Sequence, residues 1–548
     1  MAVLPVTPAP TPSRNVATYL YDHYQSGMNP NETALTPANV KTGFGLLFSC
    51  EIDGQAYAQP LYLASVPIAG QPRNVVYVAT CHDSVYAFDA DKGGVPLWHV
   101  SFISPAVGKN ITPVPNGDLR TGDVVPEVGI LSTPVIDEKT GTLYVVAKTK
   151  ETGRPDGRTH YVQKIHALDV VTGAEKFGGP KVIGDASFDQ GKYDFNLAAN
   201  PQTPFVKGTA RDAIAGKVYF NALRNNQRCS LTLSNGVVYV GWSSHGDNDP
   251  YHGWLIGFNA ATLLPIPSQI LCSTPDGMKG GIWQAGAGPA IDNAGNLFIA
   301  IANAPAPYNA NVKPGNVGES ILKFDPRAGL SVAAAGFDFF APHNAQDLGN
   351  GDTGVGMGGT LLVDVPGPNP HLAIEGAKNG VVYIVNRDKM GGYDPKEDRN
   401  VQNLEPQGGN WICSAPVFFN NFLYYVRSGA ELKCVPLENG KFGATKGTAK
   451  GSGGRGGGPV VSANGTANGI LWLIGNGAPA SLIAYSTDEL AKGNGPVEPI
   501  YTGRMPSGGV KFTHPIVING KVYACSANAR PGGTTAHLNI FGLTAQKP

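Results

Sequence analysis

The chain has 548 residues, 42% of them hydrophobic, so it can bury a large core and exceeds one average domain. Its 72 Gly and 44 Pro, about a fifth of the residues, suit short strands joined by many tight turns and stay below the range that signals disorder. Lys plus Arg and Asp plus Glu both total 41 and no basic stripe stands out, so nucleic acid is not an expected partner; without a run of about 18 apolar residues, neither is a membrane span.

In chain order, MAVLPVTPAPTPSRN has no charged stretch followed by an apolar one, and reads as a Pro/Thr-rich leader or a mature start behind an added Met. Residues 16–42 read as a loop-rich cap, and GFGLLFSCEI (43–52) as an apolar strand. From Gln59 onward one unit recurs. Its openings are QPLYL, STPVID, SLTLSNG, GPAIDNAG, GTLLVD, SAPVFF, GPVVSANG and HPIVING. Second strands such as VVYVAT (75–80), LYVVAK (143–148), VVYVGW (237–242), LYYVRS (423–428) and VYACSA (522–527) follow turns like SNG and ING, where a hairpin needs a left-handed residue. Third strands run from VYAFDADKG (85–93) to LNIFGL (538–543), giving eight openings and eight third strands. Units that cannot bury both faces alone pack radially as blades of a β-propeller. The last unit lacks a fourth strand and the strand at 43–52 lacks a unit, so pairing them removes both open edges. The expectation is an all-β, eight-bladed propeller of four-stranded blades, closed by its N-terminal strand. Residues 1–42 would form a leader and cap, and 43–548 a single domain. The competing reading has seven blades, with the weak unit at 359–393 merged into an irregular segment.

Inserts fall at 104–128, 178–226 and 303–319, with a Gly-rich run KGSGGRGGGP at 450–459. That run lacks GK[ST] and is not a phosphate loop. Seven Cys, without CxxC spacing, argue against a zinc knuckle and leave at least one thiol unpaired. Between Gly280 and Lys378 the chemistry concentrates: Trp283 in GGIWQAG, Asn303 in IANAPAPYN, His343 and Asp347 in APHNAQD, and Lys378 in AKNG. An aromatic plate, an amide oxygen, an acid and a cation suit a flat anionic cofactor held beside a divalent metal. His245 and His252 have a spacing that a transition metal could use, although loop histidines more often only hydrogen-bond.

These segments resemble the quinoprotein alcohol dehydrogenases, eight-bladed enzymes that hold pyrroloquinoline quinone (PQQ) and a calcium or lanthanide ion on the propeller axis. The repeat, with its DxxTG-like turn in HALDVVTGAEKF, is similar throughout the chain. IANAPAPYNANVKPGN looks like the family's TGNPAPWN segment, which implies Asn303 as a metal ligand. By the same resemblance Trp283 is the floor under the quinone, and Asp347 in PHNAQD is the acid that takes the alcohol proton beside the metal. AKNGVVYIVNRD implies Lys378 as the cofactor's cation, and GGNW implies a contact from Asn410. WSSHGDNDPYHGW, laid on the family's GSSGAELGVRGY with one residue inserted, puts Asp247 at the metal-ligating glutamate. Lanthanide-selective members carry a second acid two residues after the base; Gly349 stands there, which implies calcium. The family's vicinal Cys pair is absent, and Glu127 falls near the arginine that pairs a cofactor carboxylate. No CxxCH supplies a fused haem.

The expected function is a periplasmic or secreted PQQ- and calcium-dependent dehydrogenase. It would act on an alcohol or sugar hydroxyl and pass electrons to a soluble acceptor. The alternatives are a propeller that has lost the quinone and serves as a binding or scaffold module, and a metal-assisted hydrolase or lyase using the same oxygens.

Overall fold

In the computed structural model, which describes residues 15–103, 107–108, 110–304, 316–405, 409–451, 456–527 and 536–544, the apolar runs form strands. Second and third strands such as Ser84–Asp89 and Leu297–Ile301 are buried at every position. A sheet covered on both faces demands continuous apolar runs, and here both faces meet neighbouring sheets. The hairpins turn through left-handed residues where the sequence places Asn or Gly, as at Asn235 (φ 49°) and Gly236 (φ 74°). Strands dominate, with three short α-helices among the described residues: Pro37–Gly43, Ala345–Asn350 and Thr487–Lys492. None is long and apolar enough to cross a membrane.

The described strands form nine hydrogen-bonded sheets, one of them only the ribbon of Phe205–Lys207 with Lys217–Tyr219 in the 178–226 insert. Seven each contain a complete blade, an antiparallel four-stranded meander from one run of chain, to which some add short edge strands. The first comprises Leu61–Ile68, Gln71–Ala79, Ser84–Asp89 and Trp98–Ser101, and the third Thr232–Ser234, Val237–Ser244, Trp254–Asn259 and Pro265–Cys272. The last unit is not of this kind, so the structure has seven such blades where the sequence reading expected eight. Ile516–Ile518, Lys521–Ala527 and Ala536–Leu543 are the last of the described strands, and Phe44–Ile52 pairs antiparallel with the final one, from Phe44 opposite Leu543 to Ile52 opposite Ala536. The segment at 359–393 is no irregular merger: Thr360–Asp364, His371–Gly376 and Val382–Asn386 pair in order and Gln402–Leu404 completes their sheet.

Residues 16–32, read as a loop-rich cap, run past the first strand of sheet after sheet. Val16 exchanges two backbone bonds with Tyr62, Ala17 accepts from the N–H of Ile136, His23 from Ile291, Tyr24 from Leu362 and Gly27 from Val461. The His23 Nε2 meets the Leu233 carbonyl at 2.9 Å, Gly27 packs on Val417, and the Tyr21 hydroxyl accepts from the Val517 N–H at 2.7 Å. These are the edge groups of the first strands, which the sheets themselves leave unpaired. All seven cysteines are free thiols and buried, so no disulfide contributes. Residues 1–14 and 452–455 lie outside the described residues, as do 305–315 of the 303–319 insert.

Candidate functional site

The loops that follow second strands and those that precede first strands lie at the same end of the sheets, because the strands alternate in direction. Their residues line a cavity of about 340 Å³. Val237–Ser244 delivers Ser243, Ser244 and Asp247; Leu297–Ile301 delivers Asn303; His371–Gly376 delivers Lys378. Trp283, Gly354–Met357 and Phe512 come from the segments leading into first strands, and Trp411 from another.

At its centre the Asn303 amide nitrogen donates to Asp247 Oδ2 at 3.1 Å and to Asp352 Oδ1 at 2.9 Å. Lys378 Nζ lies 2.5 Å from Asp352 Oδ2 and 4.7 Å from the centre of the Trp411 ring. Asp247 Oδ1 accepts from the hydroxyls of Tyr251 (2.6 Å) and Ser244 (3.0 Å), which fix its rotamer. Asp247 (φ 53°), Asn303 (φ 52°) and Asp352 (φ 50°) all sit on left-handed backbone, which Asn and Asp tolerate better than most residues. The turn carrying Trp283 is held by Gln284, whose side-chain carbonyl accepts from Ala300 N at 2.7 Å while its amide donates to Gly288 O at 3.0 Å. Trp283 and Phe512 meet edge to face at 6.2 Å, and the Trp283 indole N–H is buried without a protein partner. Beneath Asn303, the fully buried Glu319 accepts from the N–H of Asn303 (2.5 Å) and of Val355 (2.9 Å). Burial is the main cause pushing its carboxyl up to about 8, with nearby Asp352 adding to the rise.

Four residues singled out from sequence thus line one cavity: Asp247, Trp283, Asn303 and Lys378. Two do not. Asp347 sits in the helix Ala345–Asn350, where its carbonyl accepts from Gly351 at 2.9 Å; that helix occupies the interval over which the spacing from Asn303 was counted, and the acid at the cavity is Asp352, five residues on. Asn410 is exposed and donates to the Ser428 carbonyl at 2.9 Å, while its neighbour Trp411 faces the cavity. His343 pairs with Asp398 at 2.8 Å. His245 and His252 do not converge: the first meets Lys148 Nζ at 2.7 Å, and the second Asp212 and Thr274. Glu127 is not in the lining either, and pairs with His82 at 2.6 Å. Glu319 and Gln284 escaped sequence reasoning. The only hint at Glu319 was an acid at the mouth of an apolar strand.

Among the described residues no three His, Cys, Asp or Glu side chains gather closely enough to hold a metal by themselves. The Asp247, Asn303 and Asp352 set therefore depends on its amide. As assigned, the amide turns its NH₂ to both acids; rotated by half a turn, it would add its oxygen to theirs, a donor set suited to a hard divalent cation. The aromatic faces of Trp283 and Trp411, with Lys378 and Lys511 on the lining, suit a flat anionic ligand. Both groups fit the residues present.

A β-propeller with its cavity at one end is the class that the strand order and the lining define. Among solved structures the chain is similar to the quinohemoprotein alcohol dehydrogenase from Comamonas testosteroni, at TM-score 0.60 and 13% identity over 98% of this chain and 82% of that one. It is equally similar to quinohemoprotein alcohol dehydrogenase ADHIIG from Pseudomonas putida HK5, at TM-score 0.60 and 14% identity over 97% and 81%. A europium-containing methanol dehydrogenase follows at TM-score 0.58 and 13% identity over 96% and 98%. No known family profile and no curated protein sequence matches the chain. The fold is therefore that of the PQQ alcohol dehydrogenase-like propellers.

Proposed function

We propose that the protein is a PQQ- and Ca²⁺-dependent dehydrogenase that oxidises an alcohol or sugar hydroxyl, periplasmic or secreted, with a small-molecule substrate and a soluble electron acceptor. The observation that carries this reading is the convergence of Asp247, Asn303, Asp352 and Lys378 beside Trp283 in one cavity. On this reading Asp247, Asn303 and Asp352 hold the cation, and Trp283, Trp411 and Lys378 hold the quinone. When bound, the quinone supplies a two-electron acceptor and the cation a Lewis acid at its carbonyl. Asp352 takes the hydroxyl proton of the substrate, a role that the resemblance alone gave to Asp347. Lys378 aims that carboxylate, Tyr251 and Ser244 aim Asp247, and Glu319 fixes the backbone at Asn303 and Val355. We read residues 43–548 as one propeller domain, with the Phe44–Ile52 pairing as its closure; residues 1–42 are leader and cap. The pairing of Phe44–Ile52 with Ala536–Leu543 supports that closure.

Reconstitution with PQQ and Ca²⁺, followed by quinone absorbance and dye reduction with alcohols, tests the reading; a protein that retains no quinone refutes it. One observation favours a cofactor-free binding module instead. Asn303 and Lys378 already bond Asp247 and Asp352. Ligand capture without turnover would establish that second reading.

A further inference from the structure

Arg228 is buried to 1% exposure just ahead of the third sheet, and none of the ion pairs among the described residues includes it. Its Nη2 donates to the carbonyl of Phe512 at 2.8 Å, its Nη1 to that of Leu131 at 3.2 Å, and its Nε–H is buried without a partner. The titratable groups around it are Tyr19, Tyr57, Cys229 and His514, none of them an acid that is ionised at neutral pH. An isolated buried cation costs far more than a buried neutral group, so its retention asks for a counter-charge.

The cavity lies one layer away. Phe512, whose carbonyl takes the Arg228 bond, lines it. On the other side, the guanidinium packs so closely on the Trp283–Gly286 turn that a Cβ at Gly286 would fall 2.0 Å from Nη1. The lining carries three carboxylates (Asp123, Asp247, Asp352) and two ammonium groups (Lys378, Lys511), a net charge of minus one. Lys378 neutralises Asp352 and Lys511 stands 3.8 Å from Asp123, which leaves Asp247 without a cation. A divalent ion at Asp247 turns minus one into plus one, and Arg228 behind the wall makes it plus two.

We propose that Arg228, acting from behind the cavity wall, is a counter-charge for the carboxylates of the cavity's ligand. This rests on the metal and ligand placement proposed above, and locates just ahead of the third sheet's first strand a positive charge that Glu127 does not supply. Arg228 is a positioning and charge-complementing residue, not a group that touches the reacting atoms.

Isothermal titration calorimetry in Ca²⁺ buffer, with PQQ, benzene-1,3,5-tricarboxylate and its trimethyl ester as probes, tests it on the wild type, Arg228→Lys and Arg228→Met. The wild type should bind the tricarboxylate about tenfold or more tighter than the ester. Arg228→Met should lose about tenfold for both anions and little for the ester, and Arg228→Lys should recover most of that loss. Equal weakening of acid and ester would show a purely structural arginine and overturn the proposal, as would a wild type that does not prefer the acid. Should Arg228→Met fail to fold, the acid-to-ester ratio of the wild type against Arg228→Lys decides. Arg228-dependent binding of the tricarboxylate but not of PQQ would refute the quinone reading and leave this inference standing.

Discussion

Replacing Asp352 with Asn should cut turnover by orders of magnitude while hardly touching the fold, whereas replacing Asp347 with Asn should leave turnover intact. The Asp352 side chain is 53% exposed and the Lys378 side chain 16%, so their contact is a half-exposed ion pair worth about 0.2–1 kcal/mol. In a chain of this size that moves the melting temperature by less than about 2 °C. The functional cost is of another order. Loss of a positioned general base lowers the rate by about 10²–10⁴. Asn also removes one of the two carboxylates flanking Asn303, so cation affinity falls in parallel. The assay pairs dye-linked alcohol oxidation of the PQQ- and Ca²⁺-loaded protein with Tb³⁺ luminescence sensitised through Trp283 or Trp411. If Asp347→Asn silences both signals while Asp352→Asn keeps them, the placement of the base at Asp352 is refuted.

Glu319 and Glu375, both buried, have carboxyls pushed up to about 8 and about 7, chiefly by burial. A raised carboxyl favours the folded state fully below the unfolded value near 4.5 and loses that contribution as pH climbs through 7 to 8. The urea midpoint should therefore fall between pH 6 and pH 9, and E375Q should flatten the slope; equal slopes in both proteins would refute this. A Cβ at Gly354 would fall 1.7 Å from Glu319 Oε2, so Gly354→Ala should cost about 1–3 kcal/mol by denaturation and weaken Tb³⁺ binding. Tyr21→Phe removes the acceptor for Val517 N, and should cost about 1–3 kcal/mol in the same measurement.

The propeller was legible because its blades repeat. Each unit writes a small residue, often with Pro, an apolar run, and a left-handed turn at Asn or Gly, and no tertiary contact overrides that pattern. Four of the cavity residues were legible through segments that resemble those of the quinoprotein alcohol dehydrogenases: Trp283, Asn303, Lys378 and Asp247. Asp347 went astray because between Ala341 and Thr360 the chain leaves the repeat for a helix, and counting residues across it does not count distance. Arg228 and Glu319 were invisible for a different reason. Their character comes from what is missing around them, a counter-ion or water, and burial is a property of the fold rather than of local spacing.

The strap of residues 16–32 changes how the blades depend on one another. Stacked repeats ordinarily melt piecemeal, since each unit senses only its neighbours. Here one segment is bonded or packed against the first strand of all eight larger sheets, and it continues into Phe44–Ile52, which pairs with the far end of the chain. It can seat only after the last-made strands exist, so the earliest residues of the chain lock last. Once seated, any blade that opens must also release the strap from the others. A repeat architecture is thereby made to unfold as a single cooperative unit.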